Sequence, residues 1–269
     1  MKLVALVRAP KSADEAAGAL AAASGLALAE ARMRLAPEPP ALIARLDDDK
    51  AQALVGSLRK VGVSVLTLDL SLPTDRDRLP VHRFVLDRAG ATFTTRGGDS
   101  LQLAWSDVLA VLRGARAAST EVIRTEKSRR FSPGLAVMTG GLVLSRTTAR
   151  TVHSSSEATE QVLLVYSRDG RRAATLAEHA LDFSCLGSGM QASSTANMGE
   201  LARRLREHAG TTFYDERLLR LGRRPLPFLM GHESRSTTAS SATTRTDTST
   251  SLDALAEVMR QALVEGLLP

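Results

Sequence analysis

The residues of this chain that could ligate a metal, attack a substrate or shuttle a proton are dispersed. Its five histidines, His82, His153, His179, His208 and His232, fall in separate stretches. None stands four residues from another on a helical pattern, the spacing that would present two imidazoles to one metal. The one cysteine, Cys185, alternates with apolar neighbours in "ALDFSCL". That pattern predicts a buried structural thiol in a strand, not a nucleophile. The following "CLGSGM" lacks the Gly-x-Ser-x-Gly spacing of a nucleophile elbow. "RGGD" and "MTGG" have neither the Lys-Ser/Thr nor the helix that a phosphate loop requires. These readings assign no catalytic residue, no metal ligand and no cofactor, and the chain reads as a non-enzymatic protein.

The chemistry on offer is electrostatic. Lys and Arg total 35 against 29 Asp and Glu, a formal charge of +6, and the excess lies in residues 73–232, almost all of it arginine. The densest run, residues 113–131, carries Arg113, Arg116, Arg124, Lys127, Arg129 and Arg130 against Glu121 and Glu126. It reads as a strand and a following loop, and these six residues are the candidate site for an anionic partner. An acidic protein or an anionic membrane surface would suit them. A nucleic acid would not, because aromatic residues make up only 3% of the chain and leave little platform for base stacking. A solvated strand edge guarded against aggregation would carry the same charges. A second basic cluster, "RLLRLGRRP", occupies residues 217–225.

The elements that would position these groups begin with "KLVALV", a short strand. Ser12 and Glu15 then frame a capping box for a helix through "AAGALAAA". Gly25 supplies the left-handed residue that ends this helix. A second helix follows, with Leu26 and Leu28 expected to point inward and Ala31 allowing close packing, and Pro37, Pro39 and Pro40 end it. "ALIARL" is a strand. The acids at 47–49 open a third helix with Ala51, Leu54, Val55 and Leu58 on one face, and "VSVLTLDL" is a strand. The order is strand, helix, helix, strand, helix, strand.

The phrases "SGLALAEARMRL" and "DDKAQALVGSLRKVGVSVLTL" resemble the C-terminal domain of the bacterial ribosomal stalk protein. That family carries Gly-Leu-x-Leu-x-Glu-Ala and later an Ala-x-x-Leu-x-x-Leu helix ending in a Gly-Val strand. The resemblance implies an open sheet covered by helices over residues 1–72, a fold shared with adaptor domains. The stalk domain engages translation factors through basic side chains around its Gly-Leu hinge. The matching positions here are Gly18, Ala21 and Ala29, with Arg32 alone basic, so the resemblance implies the fold without the stalk's own role.

Residues 73–80, polar and bracketed by prolines, read as a linker. Beyond it the periodicity becomes alternating. "RFVLDRAG", "ATFTTRGG" and "SLQLAWSDV" are short strands with Leu101, Leu103 and Trp105 on one face, and Asp169-Gly170 marks a hairpin. A helix from Asn197 then presents Met198, Leu201, Leu205 and Ala209. Antiparallel strands followed by one amphipathic helix, together with "LAWSDVLAVLRG", resemble a pleckstrin-homology-like domain, which implies a small barrel closed by a helix over residues 81–225. The expected class is therefore α+β.

Residues 226–251 are mostly Ser, Thr and small residues and are expected to be disordered. Residues 252–269 form an amphipathic helix with Leu252, Leu255, Met259 and Leu263 as a stripe for docking a protein partner, or, in the competing reading, for completing the chain's own core. The helix carries Asp253, Glu257, Arg260 and Glu265, a net negative face that suits a protein groove better than anionic lipid. No apolar run is long enough to span a membrane, and the N-terminus lacks a sustained apolar core of a signal peptide, so a cytoplasmic location is expected. The whole reads as an adaptor or scaffold for an unidentified protein partner. The alternative is a peripheral binder of anionic lipid or another phosphate-bearing ligand.

Overall fold

The computed structural model describes residues 1–131, 145–229, 233–238 and 241–269, and the architecture is mixed α+β. The N-terminal part consists of β1 (Lys2–Leu6), α1 (Ala13–Ser24), α2 (Leu28–Leu35), β2 (Ala41–Leu46), α3 (Asp48–Lys60) and β3 (Val65–Asp69). Its antiparallel sheet runs β2-β1-β3. Helix α1 starts where Ser12 accepts a hydrogen bond from the Glu15 amide. It ends where Gly25, at φ 70°, donates to Ala21. One face of the sheet packs Val4, Leu6, Ile43 and Val65 against Leu20, Ala31, Leu54 and Leu58 of the three helices. Leu28 departs from expectation, since it is 45% exposed: the hinge buries Ala31 and turns Leu28 outward.

The other face of the sheet, with Leu3, Ala5, Leu42, Leu66 and Leu68, is buried as well. A strand covered on both sides reads as an unbroken apolar run and not an alternating one, which accounts for "LVALV". The cover comes from the far end of the chain. Helix α6 (Ser249–Val264) lies between this face and a second sheet, and one continuous core joins Leu3, Leu66 and Leu68 to Leu252, Leu255, Met259 and Ala262 and on to Ala110, Leu112, Leu164 and Tyr166.

The middle part begins with β4 (Leu79–Pro80). A meander follows, β5 (Arg83–Leu86), β6 (Gly90–Thr94) and β7 (Ser100–Ala104), in the order β5-β6-β7. Next come two long strands, β8 (Val108–Phe131) and β9 (Ser145–Ser167), then β10 (Ala173–Ala177) and α4 (Ser194–Ala209). The chain continues through β11 (Phe213–Asp215), the one-turn helix α5 (Leu218–Leu221), and β12 (Glu233–Thr237) and β13 (Ser241–Asp247). The larger sheet runs β12-β13-β8-β9-β10-β4, with β11 parallel to the base of β8. The meander, the base of β8 and β9, and α4 share a core of Phe84, Phe93, Leu103, Val111, Leu163, Met198, Leu201 and Leu205.

Several expectations need correction. Residues 73–80 are built into the body: a 3-10 turn at Asp75–Asp77 precedes β4, which pairs with β10, and Arg78 is buried. "ALDFSCL" forms no strand. Asp182 caps a 3-10 segment, Phe183–Gly189, in which Cys185 is only half-buried. Helix α4 begins earlier than Asn197, because Ser193 is the residue that caps it, accepting from the Ala196 amide. Within 226–251, Glu233–Thr237 and Ser241–Asp247 are paired strands. β12 and β13 form a hairpin, and β13 runs antiparallel to β8 from Asp247 opposite Ala118 to Ser241 opposite Arg124. These strands need no apolar residues of their own, since what holds them is the ladder along an existing edge.

Candidate functional site

The basic run predicted to bind an anion lies in β8, and all of it is strand. Pairing with β9 starts with Val108 opposite Ser167 and, after a bulge at Leu109, is continuous from Ala110 opposite Tyr166 to Phe131 opposite Ser145. Twenty-four residues of strand extend roughly 80 Å at 3.4 Å per residue. The base is buried, through Val108, Ala110, Val111, Leu112 and Ala115 of β8 and Val162–Tyr166 of β9. Farther out, Ser154–Glu157 are exposed. The result is a β-ribbon rooted in the core, flanked by β13 as far as Arg124 and, among the described residues, by β9 alone beyond it.

The ribbon separates the six candidate residues into two groups. Arg113 and Arg116, near the root, are spent internally, which corrects their assignment to an outside partner. Arg113 donates to Glu216 at 3.2 Å and to Gln161 at 2.9 Å. Arg116 pairs with Asp75 and, at 2.7 Å, with Glu160. Burial works against the Arg116 charge, but those two carboxylates outweigh it and raise its pKa. Arg124, Lys127, Arg129 and Arg130 lie on the distal strand, where the register sets Arg130 opposite Arg146, Arg129 opposite Thr147 and Glu126 opposite Arg150. Their side chains fall outside the described part of the structure.

Arg116 belongs to a chain of alternating acidic and basic side chains. Asp253 on α6 pairs with Arg78, which lies 3.6 Å from Asp75; Asp75 pairs with Arg116, Arg116 with Glu160, and Glu160 with His179 Nδ1 at 3.1 Å. The inner end is buried, with Arg78 4% and Asp253 7% exposed, and the Arg78 guanidinium lies 5.8 Å from the centre of the Tyr166 ring. Burial pushes the Asp253 pKa up against the opposing pull of Arg78. The Tyr166 hydroxyl is also pushed up, chiefly by burial. The outer end lines a cavity of about 400 Å3 together with Asp247 and Ser249. Because Asp253, Asp75 and Glu160 each face at least one arginine, the arrangement is a fastening between α6, the 73–80 segment and the ribbon root. Sequence reasoning missed it. The available signal was Asp253 and Glu257, four apart on a helix face otherwise apolar, a spacing that calls for buried basic partners.

The predicted docking stripe is corrected in the same way. Leu252, Leu255 and Met259 are at most 2% exposed within the chain's own core, and Leu263 packs against it. Helix α6 is therefore occupied, and the reading in which it completes the core is the one the structure bears out. Among the described residues no cluster of His, Cys, Asp or Glu is arranged to hold a metal, and no helix is long and apolar enough to cross a membrane. No family model matches the chain, and no curated protein or solved structure matches it.

Proposed function

We propose that this protein is a non-enzymatic scaffold whose partner-binding element is the β8–β9 ribbon, with a folded base that holds the ribbon in place. The observation that carries this reading is the mismatch between the length of the ribbon and its burial. The strands stay paired to Phe131 and Ser145, but past Ala115 and Val162 none of the positions whose burial is described, 116–123, 151 and 154–161, is buried. β13 borders β8 as far as Arg124, and beyond it β8 pairs, among the described residues, with β9 alone; a two-stranded hairpin by itself is marginal in water, so a partner laid along this outer part would stabilise it. The register opposes Arg130 to Arg146, and like charges directly across a ladder repel, which favours an acidic partner. An anionic lipid surface is the second source of the same charge.

The test shortens the ribbon and leaves the base intact. Replacing residues 123–153 with Asn-Gly joins Val122 to Ser154, which already face each other, through a turn suited to a tight hairpin. The shortened protein should keep its cooperative melting and lose a partner that cross-links to the wild type in the native cell extract. Arg129→Glu with Arg130→Glu should weaken the same complex, as should added salt, because exposed charges are screened within about 8–10 Å. A complex indifferent to both changes would refute the ribbon as the binding element.

A further inference from the structure

The second basic cluster, residues 217–225, is not part of the ribbon or of the ion chain. The geometry points to a separate binding site there: a cavity of about 420 Å3, lined by Leu219, Arg220, Arg223, Arg224 and Glu157, that takes a small ligand bearing phosphate groups. Its volume lies within the range of small-molecule sites. Three guanidiniums and one carboxylate line it, so its wall favours an anion.

The seat is rigid. Leu218 and Leu221 of α5 are buried. Gly222 lies so close to β8 that a Cβ there would stand 2.7 Å from the Ala115 carbonyl oxygen and 2.9 Å from Leu252 Cδ1. Arg217 is tied to Asp215 at 2.9 Å and to the Pro39 carbonyl at 3.0 Å. The three arginines are thus presented from a fixed turn at the junction of the N-terminal part and the ribbon root, which lowers the ordering cost of binding.

Their current partners are replaceable. Arg220 pairs with Glu38, Arg223 stands 3.7 Å from Glu157, and all four side chains are more than 40% exposed. The Arg224 side chain has no partner among the described residues. Exposed pairs of this kind contribute little, whereas a guanidinium fork meets two phosphate oxygens at once. With three forks on one cavity, a chain of phosphates fits better than a single one. Among the described residues Leu219 is the only apolar side chain on the wall, so charge and not burial holds the ligand.

The experiment uses the full chain and two probes: inorganic triphosphate by titration calorimetry at low salt, and phosphatidylglycerol vesicles by co-sedimentation. Triphosphate is expected to bind. Arg223→Ala with Arg224→Ala should weaken it by about tenfold or more, while Arg223→Lys with Arg224→Lys, which keeps charge but loses the fork, should fall between. Glu157→Gln should tighten binding, and it gives a readout even if the double variant misfolds. Arg129→Glu with Arg130→Glu, on the ribbon, should change nothing. Binding to vesicles alone, with the same dependence on Arg223 and Arg224, assigns the phosphate to a lipid headgroup. Failure of both probes to bind at millimolar concentration overturns the site, as does a loss equally large in the ribbon variant.

Discussion

Asp253 sits on the buried side of α6, and its partner Arg78 comes from a segment that composition marks as a linker. Removing one member of such a pair strands the other charge out of water, which costs about 3–5 kcal/mol. Asp253→Ala should therefore destabilise the protein on that scale in urea titrations, since Asp75, at 3.6 Å from Arg78, is already shared with Arg116. Replacing both partners, Arg78→Met with Asp253→Leu, should recover a good part of the loss, because an apolar pair carries no desolvation cost. Equal destabilisation by the single and double variants would show that packing, not charge, fixes α6. The pair was half legible: Asp253 and Glu257 stand out on an apolar stripe, but the location of Arg78 depends on a fold that brings residue 78 against residue 253.

At the scale of elements, helix α4 is latched by Glu178, which lies just past the end of β10. Its carboxylate accepts from Ser194 Oγ at 2.6 Å, Thr195 Oγ1 at 2.8 Å and the Gln161 amide at 3.0 Å, at the helix end where a negative charge is favoured. Burial pushes the Glu178 pKa up, but those three donors outweigh it and hold it below its ordinary value of 4.5. A carboxyl lowered by folding adds stability above its unfolded value and loses it as the pH falls through the folded one. Glu178→Gln should thus be less stable than wild type at neutral pH, and the two melting curves should converge in acid. Curves that stay parallel would remove Glu178 as the latch.

Element identity was largely readable from sequence wherever a periodic apolar face exists, as in α1, α3 and the meander strands. It failed for β12 and β13. Their Ser and Thr residues offer no buried face, and only the open edge of β8 recruits them. It failed also at "ALDFSCL", where alternation suggested a strand and the Asp182 cap made a 3-10 segment.

At the scale of the whole molecule, the apolar core continues across residue 72, although the sequence patterns divide there. Residues 1–72 form a complete strand-and-helix unit with its own core, but the outer face of its sheet is apolar, and α6 fills the space between that face and the ribbon root. The cue was present in "LVALV", since a strand apolar on both faces requires layers on both sides. The identity of the covering layer could not be read, because it lies at the opposite end of the chain. A shared core of this kind should unfold as one unit. Calorimetry should record a single transition whose calorimetric and van 't Hoff enthalpies agree. Leu68→Ala opens a cavity on the shared face, where Leu68 is 1% exposed, and should cost about 2–5 kcal/mol. That loss should move the entire transition, including any signal from Trp105, which belongs to the meander core on the far side of the ribbon root. A chain ending at Asp247, which lacks α6, should lose the coupling and expose both apolar faces together. Two transitions in the intact protein, with only one shifted by Leu68→Ala, would mean that the N-terminal unit folds on its own and that α6 covers it without joining it to the rest.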